Sequence, residues 1–153
     1  MSKDHMPPPT PQELHSQMQE QFQAFLDVCE ALSPEQALEK EICGEWSAKA
    51  VVDHLTGWQV QSLPMVKQLL SSEKETLDFD IDAFNRTSVV SREDLSWEES
   101  LEAFKSSYAS FDDALRDLPV AQYRTNEGFK SWLKAMTHEY RFHLQHIEKA
   151  QRL

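Results

Sequence analysis

Glycine is almost absent from this chain, with three residues in 153. A β-sandwich or barrel turns its strands through many tight corners, and glycine is the residue that takes the positive φ those corners need. So few glycines push the chain toward helices, whose starts are built from other residues. Those starts are present. Thr10-Pro11-Gln12-Glu13 is a capping box with proline at the first helical position. Leu14, Met18, Phe22, Phe25, Leu26 and Cys29 then follow at helical spacing, predicting a helix to about Leu32.

Ser33-Pro34-Glu35-Gln36 repeats the start signal and predicts a short helical turn. Ser47 is placed to cap a helix with Val51, Val52, Leu55, Trp58, Leu63, Val66, Leu69 and Leu70 on one side. Pro64 inside it is expected to kink or split it. Residues 71–82 are acidic and polar and read as a loop, with a short helical segment from Ala83 through Arg86. Ser96-Trp97-Glu98-Glu99 is another capping box, followed by Leu101, Phe104, Tyr108, Phe111 and Leu115, and Leu118-Pro119 ends that helix. A last helix is expected from about Phe129 to Gln151. Residues 1–9, with Pro7-Pro8-Pro9, read as a disordered leader, and residues 10–153 as a single domain. The expected fold is all-α, an up-down four-helix bundle with short extra helices.

Lys and Arg number 15 and Asp and Glu 26, for a net charge of −11. Such a chain repels phosphate backbones, so nucleic acid is not an expected partner. No apolar run approaches the roughly 20 residues of a bilayer span, so neither is a membrane. The first residues lack the apolar stretch of a signal peptide, and the expected location is cytoplasmic. Cys29 and Cys43 have no C-x-x-C spacing and read as small buried hydrophobes in a reducing compartment.

No Gly-rich phosphate loop and no G-x-S-x-G motif occurs. The unusual feature is histidine, since three of the six fall between His138 and His146 on the last helix. Phe129, Met136, Tyr140 and Ile147 mark the apolar centre of that helix. At about 100° per residue, His143 lies about 40° from this centre, Glu139 about 80° and His146 about 100°, while His138 is almost opposite and faces solvent. Glu139 and His143, four apart, project over the same turn and can reach one ion. A third ligand must come from another helix, and His54, on the flank of the second long helix, is the candidate. Taken alone, a His on a helix flank is more often a hydrogen-bonded packing residue, and E-x-x-x-H is common by chance in acidic helices. Asp78, Asp80 and Asp82 alternate like a calcium loop, but the glycine and the position-12 glutamate of an EF-hand are missing.

The stretch from Trp46-Ser47 through His54-Leu55-Thr56-Gly57-Trp58 resembles the W-S-x-x-x-[hydrophobic]-x-x-H-L-x-x-W block of the DinB-like (DinB/YfiT-type) superfamily. Phe79 through Arg86 is similar to a D-x-D-x-[FW]-N segment of one branch, and His143-Leu144-Gln145-His146-Ile147 to the end of the family's last helix. The resemblance covers about residues 12–151. It implies a divalent ion, zinc or nickel, held by one His on the second long helix and an H-x-x-x-H pair on the last. Carried over, these are His54, Glu139 and His143, with Glu139 departing from the family's histidine and His146 an alternative ligand. Trp58, Asn85, Arg86 and Tyr140 are expected to line the pocket. Trp58, Trp97 and Trp132 also suit the core, and Asn85 and Arg86 a solvated helix.

The function implied is a metal-dependent transferase or hydrolase acting on a small electrophilic molecule, with a low-molecular-weight thiol as cosubstrate. The alternative is a metal-free small-molecule-binding or self-resistance protein of the ClbS/DfsB type, whose members go without the triad. The expected partners are a small molecule and, as an open choice, a second copy of the chain.

Overall fold

The computed structural model describes residues 10–70, 80–117 and 127–152. The leader, most of the acidic loop and Leu118-Pro119 lie outside the described residues. The helices are α1 (Pro11–Glu30), α2 (Pro34–Ala37), α3 (Ala48–Leu70), α4 (Ile81–Val90), α5 (Trp97–Arg116) and α6 (Glu127–Arg152). Reciprocal capping boxes open α1 (Thr10 with Glu13), α2 (Ser33 with Gln36) and α5 (Ser96 with Glu99). Each satisfies two N–H groups that a helix start leaves without a partner. Ser47 opens α3 in a simpler way, its Oγ accepting from the Ala50 N–H at 3.1 Å.

One expectation needs correction and another is narrowed. The helical segment expected from Ala83 begins two residues earlier, at Ile81, because the Asp80 carboxylate accepts the Ala83 N–H at 3.1 Å and caps α4. Pro64 does not split α3, which continues through it. The carbonyl that Pro64 leaves unpaired is that of Val60, whose side chain is exposed, so water can take up that acceptor.

The chain is the expected all-α bundle of four long helices with short extra ones. Cross-helix pairs give the helix directions. Early α1 meets late α5 (His15 with Asp112) and late α1 meets early α5 (Glu30 with Lys105), so these two are antiparallel. His54 meets His143 and Ser62 meets Trp132, so α3 and α6 are antiparallel. Gln59 of α3 bonds both the Phe104 carbonyl and Ser107 of α5, while Asp53, nearly two turns before it, faces Ser100 near the start of α5. Thus α3 and α5 run parallel, and the up-down alternation holds within the pairs α1/α3 and α5/α6. α4 supplies the return: Asn85 sits opposite Trp58, and Arg92, just past its end, opposite Lys49.

α1 packs along α6 and α3 along α5. Phe25, Phe104, Phe111 and Tyr140 are among the largest fully buried side chains at their centre. Phe22 stacks on Tyr108 with ring centroids 3.5 Å apart and meets Tyr140 edge-on. Gln59 is the largest of the fully buried polar side chains among the described residues. Its Nε2 donates to the Phe104 carbonyl (2.8 Å) and the Ser107 Oγ (2.7 Å), and its Oε1 accepts from the Tyr140 hydroxyl (2.7 Å). A buried amide satisfied in this way carries little desolvation cost.

Candidate metal centre

The antiparallel crossing of α3 and α6 sets His54 against the Glu139–His143 turn. His54 and His143 are each 4% exposed, and their rings meet edge to face with centroids 5.3 Å apart. Glu139 Oε2 stands 3.2 Å from His143 Nε2 and 3.6 Å from His54 Nε2. The second distance is too long for a hydrogen bond. A four-coordinate ion with bonds of about 2.0–2.1 Å to nitrogen and oxygen separates neighbouring donors by about 3.3 Å. The observed separations lie within a few tenths of an ångström of that edge. Contacts with His143 first and His54 second hold the Glu139 carboxyl down, to about 2, so it is a charged acceptor at any working pH. Two imidazoles and one carboxylate are a donor set that zinc or nickel accepts.

The other face of His143 meets a residue that sequence reasoning passed over. Cys43 Sγ lies 3.8 Å from His143 Nδ1. A tight turn puts it there: Trp46 N–H donates to the Cys43 carbonyl (2.9 Å), and the Ile42 and Cys43 N–H groups donate to the Trp46 carbonyl. Gly44 takes φ 58° inside that turn, and Glu41 φ 68° just before it. Cys29 is fully buried in the core, but Cys43 is half-buried beside the site and is not the enclosed hydrophobe expected. Burial and then the charge of Glu139 push its thiol pKa up. Cys43, His143 and His146 bring one donor atom each within 4.8 Å of one another, as do His54, Glu139 and His143. No local spacing signals Cys43, which is 100 residues from His143.

A pocket of about 260 Å³ opens between α3, α4 and α6, lined by Trp58, Ile81, Asn85, Trp132, Met136 and Glu139 among others. Its aromatic walls are pinned by their indole N–H groups: Trp58 donates to Asn85 Oδ1 at 2.7 Å and Trp132 to Ser62 Oγ at 2.8 Å. Of the residues expected there, Trp58 and Asn85 line the pocket. Arg86 does not; it is exposed on the outer side of α4. Tyr140 does not either, since it is fully buried and held by Gln59. Trp97 is a core residue at 5% exposure. His138 is exposed and stacks on Phe142, and His15 bonds Asp112 at 2.6 Å, tying α1 to α5 away from this centre.

No described helix is long and apolar enough to cross a membrane. A comparison with curated proteins finds no match. Among solved structures, the chain is similar to the colibactin self-resistance protein ClbS, seen in complex with double-stranded DNA. The TM-score is 0.78 at 16% identity, over 95% of this chain and 98% of that one. At that identity the likeness is one of fold. The model of the DinB superfamily matches residues 17–148, a span that holds His54, Glu139 and His143, and the chain therefore belongs to the DinB superfamily.

Proposed function

We propose that this protein is a metal-dependent transferase or hydrolase acting on a small electrophile, with His54, Glu139 and His143 as the ligands of a zinc or nickel ion. The observation that supports it is Glu139, whose one carboxylate oxygen stands between two buried imidazoles at 3.2 and 3.6 Å while its side chain also walls the pocket. Such an ion supplies Lewis acidity, which makes a bound water or thiol nucleophilic near neutral pH. The chain's own groups hold the other partner. Trp58, Trp132 and Met136 exclude water and take the apolar body of a small molecule. Asn85 Oδ1 is engaged by Trp58, which leaves its amide N–H groups to orient an acceptor on the substrate.

A thiol reaction here would draw its sulfur from outside the chain. Cys29 is sealed in the core, and Cys43 lies across His143 and does not line the pocket. That fits a low-molecular-weight thiol as cosubstrate. The net charge of −11 opposes phosphate-backbone binding, so a small molecule, rather than DNA as for ClbS, is the ligand proposed. A second reading, metal-free binding or self-resistance in the same pocket, is favoured by one feature: a carboxylate occupies the position where the family pattern carries histidine.

Elemental analysis of untagged protein, before and after zinc reloading, separates the two. The metal reading expects near-stoichiometric zinc or nickel, less of it in His54→Ala and His143→Ala, and no change in His138→Ala. Glu139→His should retain or tighten zinc, and Glu139→Gln weaken it. Normal metal content in both alanine variants removes the ligand assignment. No uptake in the parent, with uptake in Glu139→His, supports the metal-free reading.

A further inference from the structure

We propose that Cys43, His143 and His146 form a second ion site, for a thiophilic cation such as Zn²⁺ or Cd²⁺, which competes with the first set through the shared His143 ring. The proposal begins with the two edges of that ring. Nε2 faces Glu139 at 3.2 Å and Nδ1 faces Cys43 at 3.8 Å. A tetrahedral ion with about 2.3 Å to sulfur and about 2.0–2.1 Å to nitrogen separates those two donors by about 3.5 Å, close to what is observed. His146 follows His143 by three residues on α6, one turn along, with ring centroids 5.6 Å apart. The three donor atoms lie within 4.8 Å of one another. Cys43 and His146 are both half-buried, so an ion can enter from solvent.

Competition follows from the chemistry of imidazole. A neutral ring has one lone pair for a metal and one N–H. For the first set, the lone pair must be on Nε2, leaving Nδ1–H toward Cys43. For the second, it must be on Nδ1, and the Nε2–H then donates to Glu139 Oε2 instead of sharing an ion with it. The ring's proton moves from Nδ1 to Nε2, so His143 loses none overall. The Cys43 S–H proton leaves to solvent as the thiolate–metal bond forms. A thiophilic ion in the second set thereby withdraws His143 from the first. The competition rests on the ligand assignment proposed above; the thiolate site itself does not.

Titrating Cd²⁺ alone into the full chain tests both parts. A thiolate-to-metal charge-transfer band in the near ultraviolet should grow and saturate at about one ion per chain, as a single shared lone pair requires. It should vanish in Cys43→Ser, persist in Cys29→Ala and persist in His54→Ala, which disables only the first set. Protein preloaded with Ni²⁺ should release it as the band grows. A band that survives in Cys43→Ser, or no band in the parent, overturns the second site. Ni²⁺ retained beside a saturated band overturns the sharing of His143. Failure of the first set alone shows differently: no Ni²⁺ is taken up, yet the band remains. Because Cys43 sits half-buried in a turn outside the helices, Cys43→Ser keeps the fold, and an unchanged far-ultraviolet circular dichroism spectrum verifies it.

Discussion

Gly57→Ala forces a side-chain carbon into a contact between two helices that has no room for it. Gly57 lies in α3 opposite Ser88 of α4, and a Cβ there would overlap the Ser88 hydroxyl and stand 2.6 Å from the Ser88 Cβ. Ordinary contact begins near 3.4 Å, and the obstructing atom is the first side-chain carbon of a helix, which no rotamer change can move. The helices must part by about 1 Å, an overpacking strain at the upper end of the usual range, about 3 kcal/mol. Helix propensity returns about 1 kcal/mol for Gly→Ala, for a net loss of about 2 kcal/mol. In a chain of 153 residues this lowers the melting temperature by roughly 4–8 °C. The displaced helix carries Asn85, so the pocket should loosen as well. Thermal and urea unfolding of Gly57→Ala, Ser88→Gly and the double variant supply the cycle. Coupling of at least about 1 kcal/mol in favour of the double variant is expected. A Gly57→Ala protein as stable as the parent, or more so, as propensity alone would make it, refutes the close approach.

Tyr140→Phe should cost about 1–3 kcal/mol of stability, since it leaves the buried Gln59 Oε1 without its donor. Metal uptake should be unchanged, and a loss of uptake with stability intact would return Tyr140 to the site. Cys43 should react slowly with iodoacetamide at pH 7, because burial and then the Glu139 charge hold the thiol in its protonated form. Glu139→Gln removes the second cause, lowers the Cys43 pKa and should speed alkylation; a rate that does not rise, read by mass spectrometry, would separate the two side chains. Ser96→Ala should destabilise α5 by about 1 kcal/mol, as measured in urea, by removing the acceptor of the Glu99 N–H.

Helix starts were legible because the atoms involved are neighbours in the chain. Thr10 with Glu13, Ser33 with Gln36 and Ser96 with Glu99 each close within one turn, so residue type and spacing suffice. Asp80 was harder to read: it caps α4 without a reciprocal partner, inside an acidic run that resembles solvated loop. The turn that sets Glu139 below His143 was likewise local, since four residues of helix fix it whatever lies opposite. Helical periodicity also pointed Tyr140 inward, but direction is not depth. Gln59, 81 residues away, decided that Tyr140 is sealed in the core and does not face the pocket. Cys43 shows the same limit more sharply. Its place beside His143 depends on a turn at Gly44 and on how α3 and α6 cross, neither of which any local pattern encodes. Sequence determines what can be settled within a few residues of backbone; which helix faces meet, and which donor atoms share one volume of space, is decided by the packing of the whole chain.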